Sequence, residues 1–97
     1  MNLFIISLSY KAPLTEVDQY LAGHNQFLRK YYENGTFVCS GPKIPRVGGV
    51  ILCKSDSVDS VMTIIAEDPF SINNVADYEI TEFSVADWAN GFDSFLK

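Results

Sequence analysis

The chain has 97 residues, 47% hydrophobic and 20% charged, enough for one globular domain over 1–97 with a modest core and too few for a second. Its formal charge is -5 and its seven basic residues are scattered, which excludes a general nucleic-acid or anionic-membrane surface built on clustered Lys and Arg. No apolar run approaches the ~20 residues of a membrane span, and the start lacks a basic n-region and a small-residue cleavage site, so a soluble, cytoplasmic protein is expected.

Asn2 to Tyr10 is a β-branched and aromatic run with Phe4, Ile6, Leu8 and Tyr10 on one face and Leu3 and Ile5 on the other. It predicts a first strand, apolar on both faces. Lys11-Ala12-Pro13-Leu14 breaks it, and Thr15 followed by Glu16-Val17-Asp18 supplies an N-cap and first-turn acids for a long helix reaching Asn34. Val17, Tyr20, Leu21, Phe27, Leu28 and Tyr31 recur at the spacing of one helix face, and His24 occupies that face where a leucine would fit. Histidine is the side chain that titrates near neutrality when unperturbed, which makes His24 the first candidate for chemistry. The helix is expected to stop at Asn34-Gly35, where glycine can take the left-handed C-cap conformation.

Thr36 to Ser40 reads as a second strand, ended by Gly41-Pro42 because proline lacks the amide donor of a ladder, and Ile44-Pro45-Arg46 as a loop or hairpin end. Val47 to Lys54 predicts a third strand, in which Gly48-Gly49 marks a bulge or a close approach by a backbone or ligand. Ser55, Asp56 and Ser57 are cap-type residues before Val58, Val61, Met62, Ile64 and Ile65, a second helix over Ser55 to Ala66 that ends at Asp68-Pro69. Phe70 to Asn74 reads as loop. Val75 to Ser84 alternates Tyr78, Ile80 and Glu82 against Glu79, Thr81 and Phe83 as a fourth strand. Val85, Trp88, Phe92, Phe95 and Leu96 suggest a short C-terminal amphipathic helix, weakened by Gly91. Cys39 and Cys53 lack metal-ligand spacing and read as two small core residues, with a disulfide as the minor alternative. A single histidine and the lack of a Gly-rich phosphate cradle give no metal site and no cofactor.

Strand, helix, strand, strand, helix, strand is the α+β, ferredoxin-like βαββαβ order, with two helices on one face of a four-stranded antiparallel sheet. The first and third strands are apolar on both sides, so the open face should be covered, most simply by a second copy in a homodimer packed sheet to sheet.

His24, Gly35, Ser40-Gly41-Pro42, Gly48-Gly49, Asp68-Pro69-Phe70 and Tyr78-Glu79-Ile80, in this order over nearly the whole chain, resemble the YCII-related (YciI-like) domain family. That resemblance implies a dimeric α/β barrel of ferredoxin-like subunits with a site built around a His-Asp pair, here His24 and Asp68. Members with assigned chemistry include dehydrochlorinase- and lactone-dehalogenase-like enzymes acting on ring compounds. The short loop Lys43-Ile44-Pro45-Arg46 and the aromatic tail from Ala86 depart from the pattern.

A carboxylate accepting a hydrogen bond from one imidazole nitrogen fixes the tautomer and leaves the other nitrogen for acid/base work. Against this stands a core histidine satisfied by a hydrogen bond, with Asp68 as a turn residue capping local amides before Pro69. Ser40, Gly41, Pro42 and Phe70 are the expected pocket residues, although a Gly-Pro pair also simply ends a strand. Ser40 has no base to activate it as a nucleophile, and Arg46 reads as a solvated loop cation more readily than as a ligand for an anionic group. Two functions follow: a small cofactor-independent lyase- or isomerase-type enzyme acting on a small organic molecule through His24 and Asp68, or a non-catalytic dimeric module binding a ligand or partner in the same pocket.

Overall fold

A computed structural model describes residues 2–96 of the chain. Strand β1 (Asn2–Tyr10) is followed by a helical segment in three pieces: α1 (Leu14–Val17), a 3-10 turn (Asp18–Tyr20) and α2 (Leu21–Glu33). Then come β2 (Phe37–Pro42), β3 (Gly48–Lys54), α3 (Val58–Ile65), the single turn α4 (Pro69–Ile72), β4 (Ala76–Ser84) and a C-terminal 3-10 turn (Phe92–Phe95). The strands form one antiparallel sheet in the order β2-β3-β1-β4, the ferredoxin-like arrangement expected from the element order. No helix among the described residues is long and apolar enough to cross a membrane.

One sheet face carries the core. Phe4, Ile6 and Leu8 of β1 stand opposite Cys53, Ile51 and Gly49 of β3, and the buried side chains on this side meet Val17, Phe27, Tyr31, Val61, Ile65 and Phe70 from the helical layer. Phe27, Tyr31 and Phe37 form a compact aromatic triad with ring centroids 5.2 to 5.6 Å apart. On the other face Ile5, Val50 and Phe83 remain 37%, 39% and 38% exposed.

Several expectations shift by local chemistry. The first helix starts at Leu14 rather than after a Thr15 cap: Pro13, held at φ -57° and ψ 148°, offers its carbonyl to the amides of Glu16 and Val17. It also breaks at Asp18–Tyr20 instead of running unbroken to Asn34. Its end is as expected, with Asn34 as C-cap and Gly35 at φ 81°. In α3 the cap is Ser57, whose hydroxyl accepts from the Ser60 amide. The stretch from Phe70, expected to be loop, opens as the helical turn α4, because Asp68 accepts from the Phe70 amide and Pro69 occupies the first helical position. The tail forms one 3-10 turn after Gly91, which sits at φ 91°, rather than a helix from Val85.

The bulge lies on β2 and not at Gly48-Gly49. Register is continuous where β3 passes β1, but on β2 it shifts between Phe37 and Cys39. Phe37 pairs with Cys53 and Ser40 with Ile51, both on the helix side, whereas Cys39 pairs with Leu52 on the open face. One extra residue thus turns Ser40 inward and leaves Cys39 exposed, against the expectation that both cysteines are core. Cys53 is buried on the opposite face, and both thiols are free. At Gly48 the alternative reading holds: a Cβ there would lie 1.8 Å from the Leu8 carbonyl oxygen, so β1 approaches too closely for a side chain. Strand β2 also continues through Gly41-Pro42, which an edge strand permits because proline's missing donor is not needed on the unpaired side.

Candidate active site

His24 is positioned by the way α2 meets α4. Gly23 lies against the Pro69 ring, 3.0 Å from where its Cβ would be, and this close approach brings His24 onto Phe70. The imidazole and phenyl rings stack with centroids 4.1 Å apart and planes within 10°. Phe70 is held in turn by an edge-on contact with Tyr10 at 5.8 Å.

Behind the ring, Asp68 is 0% exposed. It closes α3 and caps α4, and its two oxygens take three partners. Oδ1 lies 2.8 Å from His24 Nδ1 and accepts from the Phe70 amide at 3.0 Å, while Oδ2 accepts from the Tyr78 hydroxyl at 2.7 Å. An ionised carboxylate only accepts, so the arrangement is satisfied when Nδ1 carries the proton and Nε2 the lone pair. Among the described residues Nε2 has no hydrogen-bond partner, and no buried side-chain nitrogen or oxygen lacks one, so Nε2 opens to the cavity that His24 lines. Burial first, and then the neighbouring Asp68 charge, push the Tyr78 phenol well above its ordinary range, so Tyr78 stays a donor to Asp68.

The cavity has a volume of about 380 Å³, within the size range of small-molecule sites. Leu8, Leu21, Leu28 and Ile51 supply apolar walls; His24, Ser40 and Arg46 supply polar groups. Where β2 and β3 meet, Gly41, Pro42, Gly48 and Gly49 leave backbone exposed to the space. Ser40 is oriented by a short hydrogen bond with the Tyr32 hydroxyl from α2. Arg46 reaches the rim, paired with Asp18 at 2.5 Å and with its guanidinium carbon 5.9 Å from the Tyr10 ring centre.

His24, Ser40, Gly41, Pro42 and Phe70 therefore share one cavity, and Asp68 stands directly behind His24. Sequence reasoning assigned no site role to Tyr78, the third donor to Asp68. A signal for Tyr78 existed: it is the one aromatic residue among the inward positions of β4, beside Ala76, Ile80, Glu82 and Ser84. Arg46, read as a solvated loop residue, belongs to the cavity rim.

The family model for the YCII-related domain matches residues 1–84. Among solved structures, the chain is similar to 5-chloro-2-hydroxyhydroquinone dehydrochlorinase from Burkholderia phenoliruptrix, determined in complex with 2,5-dihydroxybenzoquinone. The two share 18% identity and a TM-score of 0.71, over 94% of this chain and 97% of the other. No curated protein matches the sequence.

Proposed function

The chain belongs to the YCII-related domain family, and from that premise we propose that it is a small cofactor-independent enzyme transferring protons on a cyclic organic molecule through His24 Nε2. The observation that carries this reading is the buried Asp68, which is fixed by the Phe70 amide and the Tyr78 hydroxyl and holds the imidazole by Nδ1 while Nε2 faces the cavity. The stacked His24-Phe70 pair offers a flat wall to a ring, and the dehydrochlorinase of like fold was solved with a ring quinone.

The chemistry is of the lyase or isomerase type. In an elimination of the dehydrochlorinase kind, acting on the keto tautomer of a chlorinated hydroxyhydroquinone, Nε2 takes the proton of a ring hydroxyl, the O–H electron pair forms a carbonyl, the ring double bond shifts to the tetrahedral carbon bearing chlorine, and chlorine departs with its own pair as chloride. Asp68 faces the imidazolium so formed and compensates its charge. The working unit is a cytoplasmic homodimer: Ile5, Val50 and Phe83 make an apolar patch on the open sheet face that a second copy would cover. Light scattering showing a monomer at micromolar concentration would refute that assembly.

The test is a screen of chlorinated hydroxyhydroquinones and related ring compounds, followed by ultraviolet absorbance and chloride release. His24→Ala and Asp68→Asn should each lower turnover by about a hundredfold or more with the fold intact. Full activity in both variants would sink the proposal, and binding without turnover by the native protein would point to the ligand-binding module instead.

A further inference from the structure

Among the described residues lining the cavity Arg46 carries the one formal charge; no described Asp, Glu or Lys joins it there. Asp68 is sealed behind His24, and Asp18, the partner of Arg46, belongs to the 3-10 turn outside the lining. Arg46, Tyr10, Phe70 and His24 follow one another along the wall: guanidinium over Tyr10 at 5.9 Å, Tyr10 edge-on to Phe70 at 5.8 Å, and Phe70 stacked on His24 at 4.1 Å. A planar molecule lying along this run meets the imidazole at one end and the guanidinium at the other.

We infer that the cavity selects planar ring compounds bearing an anionic oxygen, a carboxylate, phenolate or enolate, and that Arg46 is the residue that reads that charge. The inference rests on the proposed function for the idea that a ring occupies the site, and it adds what kind of ring. Asp18 Oδ1 already shows the geometry, a carboxylate oxygen 2.5 Å from one guanidinium nitrogen. Guanidinium has five N–H donors, so most remain for a ligand while Asp18 stays bound. The side chains of Arg46 and Asp18 are 38% and 49% exposed, the setting in which an ion pair holds weakly and yields to a competitor. Asp18 thus parks Arg46 over Tyr10 without saturating it.

The test uses para-hydroxybenzoate and para-hydroxybenzamide, a pair alike in shape and differing in charge, with binding to the full chain measured by calorimetry. The native protein should prefer the anion by about tenfold or more, and Arg46→Gln should abolish the preference by weakening the anion alone. Asp18→Asn should bind the anion up to about fivefold more tightly, a gain that misfolding cannot produce. Equal binding of the two compounds by the native protein, binding of neither, or an undiminished preference in Arg46→Gln overturns the inference. The same titration in His24→Ala separates this question from catalysis: a preference kept there upholds the role of Arg46 even if no turnover is ever found.

Discussion

Tyr78→Phe removes a single hydroxyl whose one described partner is the fully buried Asp68, at 2.7 Å. Phenylalanine fills the same space, so no cavity opens and the cost is that of the lost bond. A hydrogen bond to a charged group contributes about 1.5–3 kcal/mol, a large share of the 5–15 kcal/mol that holds a domain of this kind together. Urea denaturation followed by circular dichroism at pH 8 should show that loss, and the melting temperature should fall by about 4–8 °C for each kcal/mol.

The pH dependence gives a second, independent reading of the same contact. Burial and then the Asp68 carboxylate raise the folded phenol above its ordinary value of 10.0, so the unfolded chain loses this proton first. The stability linked to Tyr78 is therefore complete below about pH 10 and is lost as pH rises beyond it. Between pH 10 and 11 the gap between native protein and Tyr78→Phe should narrow by roughly 1 kcal/mol, while the other tyrosines and lysines cancel in the difference. A variant within about 0.5 kcal/mol of the native protein at pH 8, or a gap unchanged up to pH 11, would refute the bond to a buried carboxylate.

Further outcomes follow from other contacts. Burial pushes the Cys53 thiol up to about 11, so a thiol reagent at pH 8 should titrate one equivalent in the native protein, at exposed Cys39, and two in urea. Lys30 at 2.7 Å, and then Tyr31 at 2.6 Å, hold the Glu67 carboxyl below its usual range. A lowered folded value means that this contribution is present above about pH 4.3 and is lost as pH falls through the folded value, so Glu67→Gln should be the less stable protein at pH 6 by a margin that shrinks on acidification. Gly48→Ala would force a methyl against the Leu8 carbonyl and should cost about 3 kcal/mol or more, whereas Gly41→Ala, with nothing within 4 Å of its Cβ, should leave the denaturation midpoint nearly unchanged.

The strands and helices were legible because their signals are local. Alternation in Asn2–Tyr10 and Ala76–Ser84, helical spacing from Val17 to Tyr31, and the glycine at position 35 each constrain a few neighbouring dihedrals. The His24-Asp68 contact was legible in part, from an ionisable residue on an apolar face and a carboxylate beside a proline. The features that shape the site depend on residues distant in sequence. Gly23 matters only because Pro69 packs on it, Tyr78 only because β4 lies next to β1, and Arg46 only because the 3-10 turn brings Asp18 to the rim. Cys39 was misplaced for a related reason: an odd residue in a short strand leaves the pattern of polar and apolar residues almost unchanged while reversing which side each one faces.

That odd residue makes the lining of the cavity a matter of counting. Deleting Val38 would straighten the strand and leave Cys39 out and Ser40 in, since each keeps its β3 partner; pairing Val38 regularly with Leu52 would instead turn Cys39 and Gly41 inward and send Ser40 and Pro42 out, with His24, Asp68 and the whole helical layer untouched. A soft, oxidisable thiol would then stand where a hydroxyl meets Tyr32. For a protein of this architecture, a slip of one residue in the pairing of an edge strand exchanges the chemical character of the chamber more completely than any single substitution within it.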